Sequence, residues 1–508
     1  MRAVTRRIIT VSSAVVLLAA GVGACVLPTS PLHVGDASAV TKSHFQHVAP
    51  SQSSCWLPSG VGLADSVSYG DQEFSASNGN LAVSSAAAAF GAVASTQSSA
   101  LDSTDLKDWA SAEFGASTGE LAEQVMHSDL SSATTGTGLS TSTVSQASTG
   151  DVQGLSATSC VSARRDFTFL VPSTQRGHNE IVEVVNPSGK PTAISVDLWT
   201  QKGESASQTS SRISVAPRSL ARIDLSAAAG RHDALRVRLS SSVASVYAYV
   251  KSQASQKLAS QGVDYISQPS VASSRLAIAG VREGLATSLV LYSPLQQRIH
   301  ISWLAQGKPA AQADSVTLGA EHVTVIDLKN APAGVSGLLV STDAHSSKAT
   351  QAVVEAMAVQ SVSSSGNQQD YVPLPAQLPV TSAASVRVDN LNSRFSLANS
   401  SDSAVTVTLA QFDDKHHQVK SDTVSIPALS SRLMDDKWLH SSTRSVVLTQ
   451  QLDKKQPQAG VTFTQQVTSP ALDSAHVAGI AALLPTSLVP VSQKVTVVRS
   501  PAAASHTR

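Results

Sequence analysis

Few residues in this chain are of a type that does chemistry, and their spacing does not set any of them to work. His232-Asp233 and His322 fall in expected turns or strand starts. Ser is so abundant that no Ser/His/Asp grouping is specified, and the Gly-x-Ser-x-Gly nucleophile turn is missing. His416-His417 follow Asp413-Asp414 closely, but all four share one turn, with no further Cys or His at ligand spacing. The alternating oxygen ligands of a calcium loop are missing too. That cluster reads as a solvated hairpin tip. The sequence therefore offers no catalytic residue, no metal site and no cofactor. Two aromatic residues are candidates for contact with a ligand or partner. Trp199 and Phe412 each stand 13 residues beyond a turn, at 186 and 399. Trp199 is out of phase with the inward set Ile194, Val196 and Leu198, so its ring faces outward or caps the strand end. Such a ring could stack on a sugar or cover a neighbouring surface.

The three cysteines carry the remaining chemistry. Cys25 follows Val22-Gly23-Ala24 inside an apolar run, where acylation would hold it to a membrane. Cys55 and Cys160 form an even pair that bridges in an oxidising compartment. Closing a loop of about 105 residues is worth on the order of 4 kcal/mol in the chain-entropy view.

The elements that position these residues are strands. The chain has 508 residues, with Lys+Arg and Asp+Glu both 36, so it lacks the basic excess a nucleic-acid partner requires. Charged residues are 14% and aromatics 4%, while Ser, Thr, Val and Ala dominate, a balance that suits β structure over a charged helical enzyme. Arg2, Arg6 and Arg7 precede the uncharged run Ile8 to Leu27, which is long enough to span a bilayer and places everything after Pro28 outside. Three fates fit: an uncleaved anchor, a lipoprotein acylated at Cys25, or cleavage after Ala37-Ser38-Ala39.

Beyond the run, residues 28–50 read as a polar stalk. Short strands are expected at Leu63–Tyr69, Glu73–Ser77 and Asn80–Ser85, a helix at Asp105–Met126, and a disordered Ser/Thr loop at 128–150. From there a unit repeats. Alternating runs flank turns at positions 186, 293 and 399, intervals of 107 and 106 residues, and read as hairpins. Ile223-Asp224-Leu225 returns as Ile326-Asp327-Leu328, and Asp264-Tyr265-Ile266 as Asp370-Tyr371-Val372. Six short strands per copy indicate a β-sandwich of immunoglobulin-like layout, with Asp264–Pro269 and Tyr371–Pro379 as joints. Trp303 falls on an inward phase. The strand at Gln493–Arg499 would complete the last copy.

The order of parts resembles a family of uncharacterised actinobacterial envelope proteins. The resemblance rests on the export segment, the Cys-bounded region ending Gly154-Leu155-Ser156-Ala157-Thr158-Ser159-Cys160, then Phe169-Leu170-Val171-Pro172 and Val184-Val185-Asn186-Pro187-Ser188-Gly189-Lys190-Pro191-Thr192. It covers nearly the whole chain. It implies an anchored extracytoplasmic protein tied to envelope glycan assembly, and it carries over no catalytic residues. The second and third copies read Ser293-Pro294 and Asn399-Ser400 where the first has Asn186-Pro187, so the dipeptide itself has no special role.

The expected protein is all-β. An N-terminal membrane segment (1–28) and a linker (29–50) lead into one irregular β domain (51–163). Three tandem immunoglobulin-like β-sandwich repeats follow (164–262, 263–368 and 369–500), then a tail (501–508). It is expected at the extracytoplasmic face of the cell membrane, as a lipoprotein or secreted in the other two fates. Its role is that of a non-enzymatic scaffold contacting the membrane and envelope proteins, with no nucleic acid; the other reading is a surface polysaccharide binder using Trp199 and Phe412.

Overall fold

The computed structural model describes residues 44–48, 52–60 and 79–497, apart from breaks at 104, 106, 109–113, 119–123, 133, 257–258, 344–351, 365–366, 381, 389–390, 451–459 and 489–492. The apolar run with Cys25, and the strands expected at Leu63–Tyr69 and Glu73–Ser77, lie outside them. Among the described residues no helix is long and apolar enough to cross a membrane.

The protein is all-β, built of antiparallel sheets. The chain forms two units. In one, His44–Val48 pairs antiparallel with Gln493–Val497. The expected stalk therefore contributes a strand, and Gln493–Val497 pairs with it instead of completing the last sandwich. The other unit, Ala49–Val491, holds eight sheets arranged as four sandwiches.

Among the described residues the sandwiches share eight strands in the same order, with a short ninth, Val161–Ser162, Gly203–Ser205 or Thr486–Ser487, added in the first, second and fourth. One sheet runs first–sixth–third–fourth, the other fifth–second–seventh–eighth. In the second sandwich these are Asp166–Val171, His178–Asn186, Thr192–Thr200, Arg212–Val215, Ser219–Asp224, Leu235–Ser241, Tyr247–Gln256 and Ala259–Ile266. Its core is the inward set read from alternation: Ile194, Val196, Leu198, Leu235, Val237 and Leu239 are all buried. Trp303 is likewise in the core of the third sandwich.

Three expectations are corrected. First, the sheets do not follow immunoglobulin order, in which the first strand lies beside the second and the seventh beside the sixth. Here the first lies beside the sixth and the seventh beside the second. Second, the runs flanking Asn186 are not a hairpin. His178–Asn186 pairs with the fifth and seventh strands, and Thr192–Thr200 pairs in the opposite sheet. The turn is an arch crossing the core, and the Asn side chain holds it. Buried Asn186 donates Nδ2 to the carbonyls of Lys190 (2.8 Å) and Ala216 (2.9 Å), and its Oδ1 accepts from the Ser188 N–H and hydroxyl. Asn399 repeats this with Ser403, Pro427 and Ser401. The amide satisfies carbonyls that the arch would otherwise bury unpaired.

Third, the region before residue 163 is not irregular. It is a sandwich in the same strand order, starting at Gln52–Leu57 and ending at Gly154–Thr158. The helix expected at Asp105–Met126 is replaced by strands Lys107–Asp108, Phe114–Thr118 and Gln124–Leu130. The Ser/Thr tract read as disordered supplies Gly138–Ala147, a strand paired on both sides with Ser140, Thr141, Ser142 and Thr143 buried. Its neighbour Ala82–Phe90 presents mostly small side chains, and nearby groups bond the hydroxyls. Thr143 Oγ1 lies 2.9 Å from Ser85 Oγ, and Thr141 Oγ1 accepts from the Cys160 N–H at 2.9 Å. Cys55 and Cys160 are disulfide-bonded, which ties this sandwich's first strand to the segment after its last.

The sandwiches do not stand in a row. The sheet bearing first, sixth and third strands of the second sandwich packs on the fifth, second and seventh strands of the third. The third packs on the fourth in the same sense, the first on the second through Ser54 and Tyr247, and the fourth returns to the first. A head-to-tail contact repeated with a rotation that closes makes a ring, here within one chain.

Candidate functional site

The ring has an axis, and the eighth strands form it. Gly154–Thr158, Ala259–Ile266, Gln369–Pro375 and Ala481–Leu483 pack on one another in sequence and back to the first. The expected joints at Asp264 and Tyr371 are therefore strands at the centre of the ring.

One carboxylate reaches all four. Asp370 is fully buried. Its Oδ2 accepts the N–H groups of Leu155 and Ile480, both at 2.9 Å, from the first and fourth sandwiches. Its Oδ1 accepts from Val263 of the second (3.3 Å) and from its own neighbour Tyr371 (3.0 Å). Asp264 is equally enclosed, and its Oδ1 accepts from Tyr265 (2.8 Å) and Ala157 (3.3 Å). The three donors that come to Asp370 from other sandwiches each follow a glycine: Gly154, Gly262 and Gly479. At Gly262, φ is +120° and an added Cβ would stand 2.5 Å from Tyr371 Cδ1 and 2.8 Å from Asp370 Oδ1. Only glycine lets that strand come so close.

Burial drives the carboxyls of Asp370 and Asp264 well above the usual range, with the N–H bonds pulling against it and, at Asp264, the charge of Asp370 adding to it. Glu180 is also raised by burial, opposed by the Ser252 hydroxyl, which in turn lies 2.5 Å from the Tyr371 hydroxyl. A carboxyl raised in the fold but ordinary when unfolded stabilises below about pH 4, and that contribution is lost as pH rises through the folded pKa. Asn at 264 keeps an oxygen for both N–H donors and cannot ionise. Asp264→Asn is therefore expected to fold, and its stability relative to wild type should rise between pH 4 and pH 8. Urea unfolding across that range checks this; a difference that stays constant or falls contradicts it.

Where the eighth strands end, the axis opens into a cavity of about 420 Å³. All four exit segments line it, through residues such as Ser159, Gln268, Gln377 and Thr486. Arg164 is its one ionisable side chain, and Leu378, 57% exposed, stands in its lining. Gln268 donates across it to the Pro485 carbonyl (3.1 Å) and Ser159 to that of Leu484 (2.8 Å), so the wall is fixed by bonds between sandwiches.

The residues singled out by type lie elsewhere, apart from one another. His232 Nε2 is 3.0 Å from the Ala229 carbonyl, Asp233 accepts from Gln175, and His322 Nδ1 faces the Ala320 carbonyl. Asp413 accepts the N–H groups of Lys415 and His417 in its own turn, beside Asp414, and the His416 ring meets Phe90. Among the described residues no three His, Cys, Asp or Glu side chains gather as metal ligands. Trp199 and Phe412 sit between sandwiches. The Arg236 guanidinium lies 4.4 Å from the Trp199 ring and 4.1 Å from the ring of Tyr292 in the next sandwich, and pairs with buried Glu355 at 2.8 Å. Phe412 meets Phe90 edge-on, at 5.5 Å, where the fourth sandwich closes on the first. The sequence reading missed Asp370 as the axial residue, although its repeat with Asp264 and the three Gly-aliphatic pairs were visible signals.

Fold and axis together define a class: an all-β protein of four like sandwiches closed around a shared buried carboxylate. The chain belongs to a family of unknown function, DUF5719, which matches residues 115–435. The match runs from the fifth strand of the first sandwich to just past the fifth strand of the fourth. Among curated proteins none matches the chain.

Proposed function

We propose that the chain is a non-enzymatic interaction scaffold of the cell envelope, held outside the membrane by its N-terminal segment and linked to envelope glycan assembly. It carries four sandwiches of one strand order. The axial cavity carries the reading. It is preformed, shared by all four copies and lined by hydroxyl, amide and apolar groups with one guanidinium, a set suited to holding a partner and lacking a proton-transfer pair. The outside location is supported by the basic flank, the apolar run Ile8 to Leu27 and the Cys55–Cys160 bridge, which persists in oxidising compartments.

The test is capture of envelope proteins and polysaccharide on the purified chain, repeated with Leu378→Asp. The exposed Leu378 can change without disturbing the core, so the variant is expected to melt as wild type and to lose the captured partner. Equal capture by both, or none by either, removes the cavity as the docking site. The polysaccharide reading that uses Trp199 and Phe412 makes a different forecast: glycan retention lost in the Trp199→Ala/Phe412→Ala double variant at unchanged stability. Both rings are packed between sandwiches, so here that variant is expected to lose about 2–3 kcal/mol per site instead.

A further inference from the structure

Two polar atoms in the second sandwich, His178 Nδ1 and Glu180 Oε2, are buried without a hydrogen-bond partner. Their side chains share one face at the start of its second strand, and His178 Nδ1 lies 3.9 Å from Glu180 Oε1. Glu180 is fully buried, while the His178 ring is 30% exposed and lines a cleft of about 220 Å³ with Asn179, Asp224, Ser226 and Gln253. Glu180 also ends a hydrogen-bond chain that leaves the sandwich. Ser252, opposite it on the seventh strand, gives its one hydroxyl proton to Glu180 Oε1 at 2.8 Å. The Tyr371 hydroxyl of the third sandwich, 2.5 Å from Ser252 Oγ, is therefore a donor to it. Among the described residues no cation other than His178 comes within 4.0 Å of Glu180. Lys251 and Glu183 pair on the other face of the sheet. Asp224 is the one other titratable group of the cleft, and Asp264 and Asp370 act on Tyr371 from the axis.

A buried carboxylate without a counter-charge and a buried imidazole nitrogen without a partner are each unfavourable, and one proton placed between them relieves both. We propose that His178 and Glu180 hold one proton between them and so form a pH-sensitive latch, closed at mildly acid and neutral pH and released on the alkaline side, that fastens the second sandwich to Tyr371 of the third. Burial acts on both members in the sense a shared proton requires, raising Glu180 and lowering His178. In the unfolded chain the histidine keeps its proton to about pH 6.5 and the glutamic acid loses its own above about pH 4.5. Between those values the pair carries one proton folded or unfolded, and its contribution to stability is flat. Above about pH 6.5 only the fold keeps the proton, so the contribution is lost as pH rises through the folded Glu180 value; below about pH 4.5 it is lost as pH falls and His178 takes a second proton. Ionised Glu180 is drawn toward water in the cleft, which loosens the strand start and its hold on Tyr371. The inference is independent of the axial cavity.

The test is hydrogen exchange of the full chain between pH 6 and pH 9, read as protection relative to the intrinsic exchange rate at each pH. Wild type is expected to lose at least tenfold protection at residues 178–181 and 252–254, with the segment around Tyr371 following. Glu180→Gln cannot ionise and still accepts from Ser252, so it is expected to keep its protection across the range. His178→Gln supplies an N–H to the ionised carboxylate and is expected to keep most of it. Asp264→Asn, which removes a different buried carboxyl, is expected to lose protection as wild type does. In Tyr371→Phe the strand start still responds and the segment around residue 371 no longer follows. Wild type holding its protection to pH 9, the same loss in both glutamine variants, a loss abolished by Asp264→Asn instead, or a segment around residue 371 that still follows in Tyr371→Phe overturns the proposal.

Discussion

Asp370→Asn is expected to lower unfolding stability by about 2–6 kcal/mol. When ionised, the form that four converging N–H donors favour against the upward push of burial, Asp370 accepts two N–H groups on each carboxylate oxygen. An amide, whichever way it turns, faces one of those pairs with an NH₂ group. Two buried N–H donors then lose their acceptor, at about 1–3 kcal/mol each. Turning Oδ2 into the amide nitrogen abandons Leu155 and Ile480, and so unfastens the first and fourth sandwiches; turning Oδ1 abandons Val263 and Tyr371. The contrast with Asp264→Asn is the discriminating part. That residue accepts through Oδ1 alone, so its amide keeps both bonds. Urea unfolding of the two variants side by side decides it; a loss below about 1 kcal/mol at 370, or equal losses at both sites, would mean the axis is not pinned by this carboxylate.

Arg236→Ala is the second. It strips the partner from a Glu355 that is 5% exposed and removes the cation held between Trp199 and Tyr292. Breaking a buried pair by removing one member costs about 3–5 kcal/mol, because the other charge stays buried alone. Replacing both members by apolar residues of similar size avoids that penalty. Arg236→Met/Glu355→Met is therefore expected to recover most of the loss. If the double variant is as unstable as the single, packing rather than charge holds this contact; if the single variant loses less than about 1 kcal/mol, the contact does not hold the second and third sandwiches together.

Strand phase was legible in the sequence. Ile194, Val196 and Leu198, and Leu235, Val237 and Leu239, alternate because one face of each sheet is buried, and they lie in the core as read. The Cys55–Cys160 pairing, seen in the structure, was expected from an even count and from the export read into the N-terminal segment. What failed were the decisions made by tertiary partners. A strand–turn–strand around Asn186-Pro187 looks the same whether the strands pair or arch into opposite sheets, because alternation reports burial and not the identity of the neighbour. The 138–147 strand was invisible because Ser and Thr read as solvent-loving; they are buried here because neighbours such as Ser85 and the Cys160 N–H bond them. The axis was half visible. Asp264-Tyr265 and Asp370-Tyr371 were recognised as repeats but read as joints, since nothing local shows that an Asp beside a Tyr will be met by N–H groups from three other sandwiches. Trp199 and Phe412 were correctly matched as equivalent positions, and each sits where its sandwich meets the next.

Hydrogen exchange of the full chain tests the closed ring most directly. The amides of Leu155, Val263, Tyr371 and Ile480 belong to four different sandwiches and share one acceptor side chain. They are expected to exchange slowly at one common rate, and to accelerate together in Asp370→Asn. Four unrelated rates, or acceleration confined to the segment around residue 370, would contradict the ring and return the molecule to a string of independent sandwiches.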